Sequence, residues 1–291
     1  MKQFRFVRPR ETPVPYLAAL LLLVALAFAE APPSEAEELV LKGDFIQGGL
    51  VRGRTQAGAE VQLGDRPLRV SAEGTFVFGF GRDAGPAAVL SVRLPGGRTV
   101  TRALQVASRE YQVQRIDGLP ANKVTPPDSV IKRIQEEAAQ VRAARAVDSP
   151  RRDFESSFIW PATGPISGVY GSQRILNGQP RQPHFGIDIA KPTGTPVLAP
   201  AAGVVILAEP DLYFSGGTLM LDHGHGLMSA FLHLDRIEVA MGQEVAQGER
   251  IATIGATGRV TGAHLDWRVN WFEERIDAQF LVPPMPKEPA Q

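Results

Sequence analysis

The chain has 291 residues with 31 Lys+Arg, 31 Asp+Glu, 44% hydrophobic side chains and no cysteine. This composition supports globular cores and excludes collagen-like or wholly disordered chains. A formal net charge of zero, with no basic block, lacks the electrostatic footprint that phosphate backbones demand, so no nucleic-acid partner is expected. Without cysteine there are no disulfides or thiolate nucleophiles, and any metal must be held by nitrogen and oxygen.

Residues 1–29 carry Lys2, Arg5, Arg8 and Arg10, then an apolar run from Tyr16 to Ala29 that closes on Ala27-Phe28-Ala29. The pattern is that of an export signal, since the run is shorter than the ~20 apolar residues that span a bilayer; an uncleaved membrane anchor is the alternative. Its removal leaves 27 basic against 30 acidic residues, a slightly acidic exported chain of the periplasm or cell envelope. Residues 30–39 are acidic and Pro-containing, as a linker would be.

From 40 to 107 short β-type runs alternate with turn clusters such as Gly64-Asp65-Arg66-Pro67 and Pro95-Gly96-Gly97, which predicts a small antiparallel β-sandwich. Phe76, Phe78 and Phe80 share one strand face and belong to its core. After a linker over 108–127, a helical pattern behind Pro126-Pro127 occupies 128–148, with Val130, Ile134, Ala138 and Val141 on one stripe. Arg142, Arg145, Arg151 and Arg152 make its end basic, a solvated face that compensates the helix dipole. A further linker covers 149–157. Residues 158–282, rich in Gly and Pro with repeated strand–turn patterns, predict a second antiparallel β domain, and 283–291 a disordered tail. The fold class is mainly β: sandwich, connecting helix, β domain.

All five histidines lie in the second β domain. In Pro183-His184-Phe185-Gly186-Ile187-Asp188, extended chain puts residues 184, 186 and 188 on one face. Straight strand would separate the Cα atoms of His184 and Asp188 by about 13 Å, so a shared metal requires a bend, which Gly186 permits. In Ala263-His264-Leu265-Asp266-Trp267-Arg268-Val269, His264, Asp266 and Arg268 share one face and Leu265, Trp267 and Val269 the other. Phe231-Leu232-His233-Leu234 places one imidazole in an apolar strand, where a hydrogen-bonded core histidine is the ordinary reading. His223 and His225 sit in the glycine-rich turn Asp222-His-Gly-His-Gly226, where turn chemistry is the first reading and substrate contact the second.

Taken together, His184-x-x-x-Asp188, Leu221-Asp222-His223-Gly224-His225-Gly226-Leu227, Phe231-Leu232-His233-Leu234, Gly242-Gln243-Glu244-Val245, Gly255-Ala256-Thr257-Gly258 and Thr261-Gly262-Ala263-His264-Leu265-Asp266 resemble, in order and spacing, peptidase family M23, the lysostaphin and LytM type of peptidoglycan zinc endopeptidase. The resemblance covers about 158–282. It implies an M23-type antiparallel domain, one zinc ion bound by His184 and Asp188, and His233 and His264 assisting attack on a peptide carbonyl, with peptidoglycan as substrate and wall-remodelling or cell-division proteins as the partners in view. The family's last motif is His-x-His, and its second His, the third ligand, is Asp266 here. A carboxylate binds zinc at about 2.0–2.2 Å, but two carboxylates offset the ion's charge and acidify its water less. Arg268 has three roles open to it: returning positive field, contacting a substrate carboxylate, or pairing with Asp266. The expected function is an exported metalloendopeptidase; the alternative is a catalytically degenerate domain that binds cell wall or activates another murein hydrolase. A biotinyl or lipoyl carrier, suggested by the turn rhythm of Gly242-Gln-Glu-Val-Ala-Gln-Gly-Glu-Arg-Ile251, fails because no lysine lies between Lys191 and Lys287.

Overall fold

A computed structural model of the chain describes Met1 and residues 38–118 and 125–286. The expected export signal, most of the first linker and the last five residues lie outside the described residues. Among the described residues no helix is long and apolar enough to cross a membrane.

The N-terminal part is two antiparallel sheets. Leu39–Gly43, Leu50–Thr55 and Thr75–Gly79 form one, and Arg66–Leu68, Glu60–Leu63, Ala87–Arg93 and Thr99–Gln105 the other. Phe76 and Phe78 are fully buried, with ring centres 6.3 Å apart, and Phe80 meets Phe78 edge-on at 5.6 Å. Burying each such ring contributes roughly 1.5–3 kcal/mol.

Within the segment expected to be linker, Val113–Ile116 forms a strand that pairs in parallel with Gln173–Leu176. These four residues cap an open edge of the hairpin, which satisfies its backbone groups, and Ile116 packs on buried Leu176. The helix spans Asp128–Arg145, entered from Pro127 in extended conformation, with Asp128 in its first turn and Arg142 and Arg145 in its last. Acid at the start and base at the end match the helix dipole.

The C-terminal sheet runs in the order Glu244–Val245, Gly203–Leu212, Gly216–Gly224, Leu227–Ile237, His264–Trp271, Ile187–Ala190, Ile166–Gly168. Leu265, Trp267, Val269 and Trp271 point into the main core, packed with Ile187, Ile189, Leu227 and Phe231. The opposite face of the same strand carries Asp266, Arg268 and Asn270, opposite Leu232, Ala230 and Met228 in register. Those three apolar residues join Leu207, Leu212 and Met220 in a second core, covered by Val141 and Ala144 of the helix. The strict alternation of this strand therefore turns all its polar residues to the face on which the helix docks.

Asp277 ties the two parts together: its N–H donates to the Gly48 carbonyl at 2.8 Å, and its carboxylate accepts from Arg109 at 2.9 Å.

Candidate active site

The strand pair Ile187–Ala190 and His264–Trp271 sets Asp188 directly opposite Asp266. Two carboxylates facing each other across strands repel, and both are buried, Asp266 to 1% exposure. His184 precedes the strand, and the chain bends at Gly186, bringing His184 Nε2 to 3.0 Å from Asp188 Oδ1. A Cβ at Gly186 would overlap Asp266 Oδ1 and lie 2.8 Å from Arg268 Cγ; a side chain there is excluded by the site itself. Gly168, across the strand from Asp188, is bare for the same reason, since a Cβ would overlap Asp188 Oδ2.

One ligand atom from each of His184, Asp188 and Asp266 lies within 4.8 Å of the others. Both ring nitrogens of His184 and Asp188 Oδ1 are buried with no hydrogen-bond partner, a costly arrangement for groups that a cation would satisfy. One nitrogen and two carboxylates form a donor set suited to a single divalent ion.

His233 and His264 stand beside this cluster with ring centres 4.9 Å apart. His264 Nε2 is 3.8 Å from Asp188 Oδ1. The His233 Nδ1–H donates to the Thr257 carbonyl at 2.9 Å and the His264 Nδ1–H to the Gly262 carbonyl at 2.8 Å. A carbonyl only accepts, so in each neutral ring Nδ1 carries the proton and Nε2 keeps its lone pair. His233 has φ +65° within its strand, a left-handed residue at the break in register that turns its imidazole out of the ladder. Burial pushes its pKa down to about 4, partly opposed by Asp266, so the ring is neutral at pH 7.

Two guanidiniums balance the two carboxylates. Arg174 Nη2 donates to Asp188 Oδ2 at 3.0 Å. Arg268 grips Asp266, with Nη2 2.5 Å from Oδ2 and Nε 3.0 and 3.1 Å from Oδ1 and Oδ2. Burial pushes the Asp266 carboxyl up, but Arg268 and His184 outweigh it and hold it well below the usual carboxylate range. Of the three roles open to Arg268 in the sequence, pairing with Asp266 is the one observed, yet Asp266 still lies among the other two donors.

His223 and His225 are elsewhere. His223 is fully buried between the Ala202 carbonyl at 2.7 Å and Ser229 Oγ at 2.9 Å. His225 occupies the hairpin turn at φ +50° and packs on Phe154. Arg174 was not evident from sequence, because strand pairing with 113–116 is what positions its segment. Asn270 was within reach of the alternation argument, two positions beyond Arg268. Arg145, expected in solvent, is half-buried, and Arg151 and Arg152 are ion-paired to Asp153 and Glu155.

A mainly β chain with a nitrogen-and-carboxylate cluster flanked by two imidazoles has the make-up of a metallohydrolase. The model of Peptidase family M23 matches residues 182–278. A crystal structure from Pseudomonas aeruginosa, assigned as a candidate M23 peptidase, is 33% identical, superposes with a TM-score of 0.64, and is matched over 81% of this chain and 94% of its own. The chain belongs to peptidase family M23. Among curated relatives, the peptidoglycan DD-endopeptidases ShyA and ShyB of Vibrio cholerae are 44% identical over 87 residues and 36% identical over 141 residues. These matches take in 30% and 48% of this chain but only 20% and 30% of the relatives' lengths.

Proposed function

We propose that this chain is an exported zinc endopeptidase that hydrolyses peptide bonds in peptidoglycan stem peptides or cross-bridges. His184, Asp188 and Asp266 are the metal ligands, and His233 and His264 the catalytic pair. The observation that carries the proposal is the convergence of buried, unpartnered His184 Nε2 and Asp188 Oδ1 on Asp266, beside two imidazoles whose Nδ1 atoms are held by backbone carbonyls. The named activity of ShyA and ShyB supports the substrate class, and the basic-then-apolar N-terminus supports export.

Zinc, when bound, supplies Lewis acidity toward the scissile carbonyl and the attacking water. The chain's own residues handle the protons. Nε2 of His233 or His264 accepts the proton of the attacking water and returns it to the leaving amine. The imidazolium formed between these steps is steadied by Asp188 and Asp266, and its Nε2–H donates to the developing oxyanion. The Thr257 and Gly262 carbonyls lock each ring in the tautomer that this requires.

The test is zinc stoichiometry of the purified chain together with muropeptide release by wild type, His184→Ala and His233→Ala. The expected result is one zinc per chain and loss of release in both variants; equal release by all three overturns the enzymatic reading.

The grip of Arg268 on Asp266 favours a second reading, a catalytically degenerate M23 domain that binds cell wall or activates another hydrolase. Asp266→His separates the two. Activity gained from zero marks a degenerate site, whereas loss of existing activity marks a site adapted to aspartate.

A further inference from the structure

The polar face of the His264–Trp271 strand continues beyond the cluster. Asn270 lies opposite Arg275 in register on one side and Met228 on the other. Cross-strand partners share a face, so Asp266, Arg268, Asn270 and Arg275 follow one another along it. Arg145, the last residue of the helix, joins them where Val141 and Ala144 dock.

Asn270 is 1% exposed, yet neither its Oδ1 nor its Nδ2 has a partner, and Arg145 Nε and Arg275 Nη1 are also buried and unpartnered. Burial, then the neighbouring guanidiniums, push Arg145 down to about 10 and Arg275 down to about 9. Three cations are thus held together against Asp266, already gripped by Arg268, and the exposed Glu273. Of these residues Arg275 lines a cavity of about 500 Å³, together with Phe185, Trp271 and Glu273 and, from the N-terminal sheets, Arg66, Phe80 and Arg82. The Arg275 guanidinium is 5.5 Å from the ring centre of Phe185, the residue after His184.

We propose that Arg145, Arg275 and Asn270, with Arg268 behind them, form a carboxylate-binding subsite that seats a free carboxylate of an anionic peptide next to the hydrolytic cluster. Guanidinium forks match a carboxylate in shape and charge, and Asn270 Nδ2 adds a neutral donor. An anion there relieves the repulsion among the guanidiniums and satisfies their idle donors. The identity of the ligand as peptidoglycan peptide rests on the peptidase reading; the subsite's preference for carboxylate does not.

Two carboxylates of a stem peptide qualify, the C-terminal one and that of a side chain. Calorimetric titration of the full chain with a short stem peptide, its C-terminal amide and its side-chain amide distinguishes them. The expected result is at least tenfold weaker binding of one amide by wild type, a discrimination that shrinks below threefold in Arg275→Gln and Arg145→Gln and returns in Arg275→Lys. Equal binding of all three peptides, or binding of none, overturns the subsite. Should a glutamine variant fail to fold, the wild-type discrimination decides alone. Discrimination without any hydrolysis leaves the subsite standing and removes the peptidase reading; hydrolysis without discrimination does the reverse.

Discussion

Replacing Arg268 with glutamine strips the guanidinium from a carboxylate that is 1% exposed. Three donor contacts between 2.5 and 3.1 Å are lost or weakened. With charge centres about 4 Å apart and an effective dielectric near 20, the attraction is about 4 kcal/mol, and removing one partner of a buried pair costs about 3–5 kcal/mol. Arg174 still balances Asp188, so the loss falls on Asp266 alone, and the metal-free variant should be about 3 kcal/mol less stable at pH 7. A dication bound by Asp266 then meets no competing guanidinium, and zinc affinity should rise about tenfold or more. By linkage, a tenfold gain makes the stabilisation by saturating zinc about 1.4 kcal/mol larger than in wild type. Urea unfolding in chelator and in fixed excess zinc, with calorimetric zinc titration, measures both quantities. A variant as stable as wild type in chelator, or one that binds zinc more weakly, refutes the idea that cation and guanidinium contend for the same carboxylate.

His233→Asn, which keeps a residue tolerant of positive φ, should lower kcat by 10²–10⁴-fold with zinc stoichiometry unchanged; full activity would remove His233 from the chemistry. The same variant isolates a pH effect. Because burial lowers the His233 pKa to about 4, the unfolded chain binds its proton first as pH falls below about 6.5, and stability drops with acidification. Between pH 7 and 4 wild type should lose about 3 kcal/mol more than His233→Asn in urea titrations; parallel losses would contradict a buried neutral ring. Gly186→Ala places a methyl against Asp266 Oδ1 and Arg268 Cγ and should cost about 1–3 kcal/mol while abolishing zinc uptake measured by calorimetry. Unchanged uptake would show that Asp266 is not a ligand.

Much of this protein is local and therefore readable from its residues. Period-two alternation over 264–271 already divided Leu265, Trp267 and Val269 from His264, Asp266 and Arg268, because a pleated strand sends neighbours to opposite faces, and the core assignments follow that division. Pro126-Pro127 and the apolar stripe announced the helix found at Asp128–Arg145. The bend that lets His184 approach Asp188 was foreseeable from Gly186. What no local pattern contains is the register that sets Asp188 against Asp266, or the pairing of 113–116 with 173–176 that carries Arg174 onto Asp188. Nor does it contain the docking of the helix end beside Arg268 and Arg275. Alternation names the face of a residue, but only the packing of distant strands decides which charges meet there. Whether Arg268 returns positive field to the site, contacts a substrate carboxylate or pairs with Asp266 is an electrostatic balance among groups remote in the chain, so the tertiary structure alone settles it.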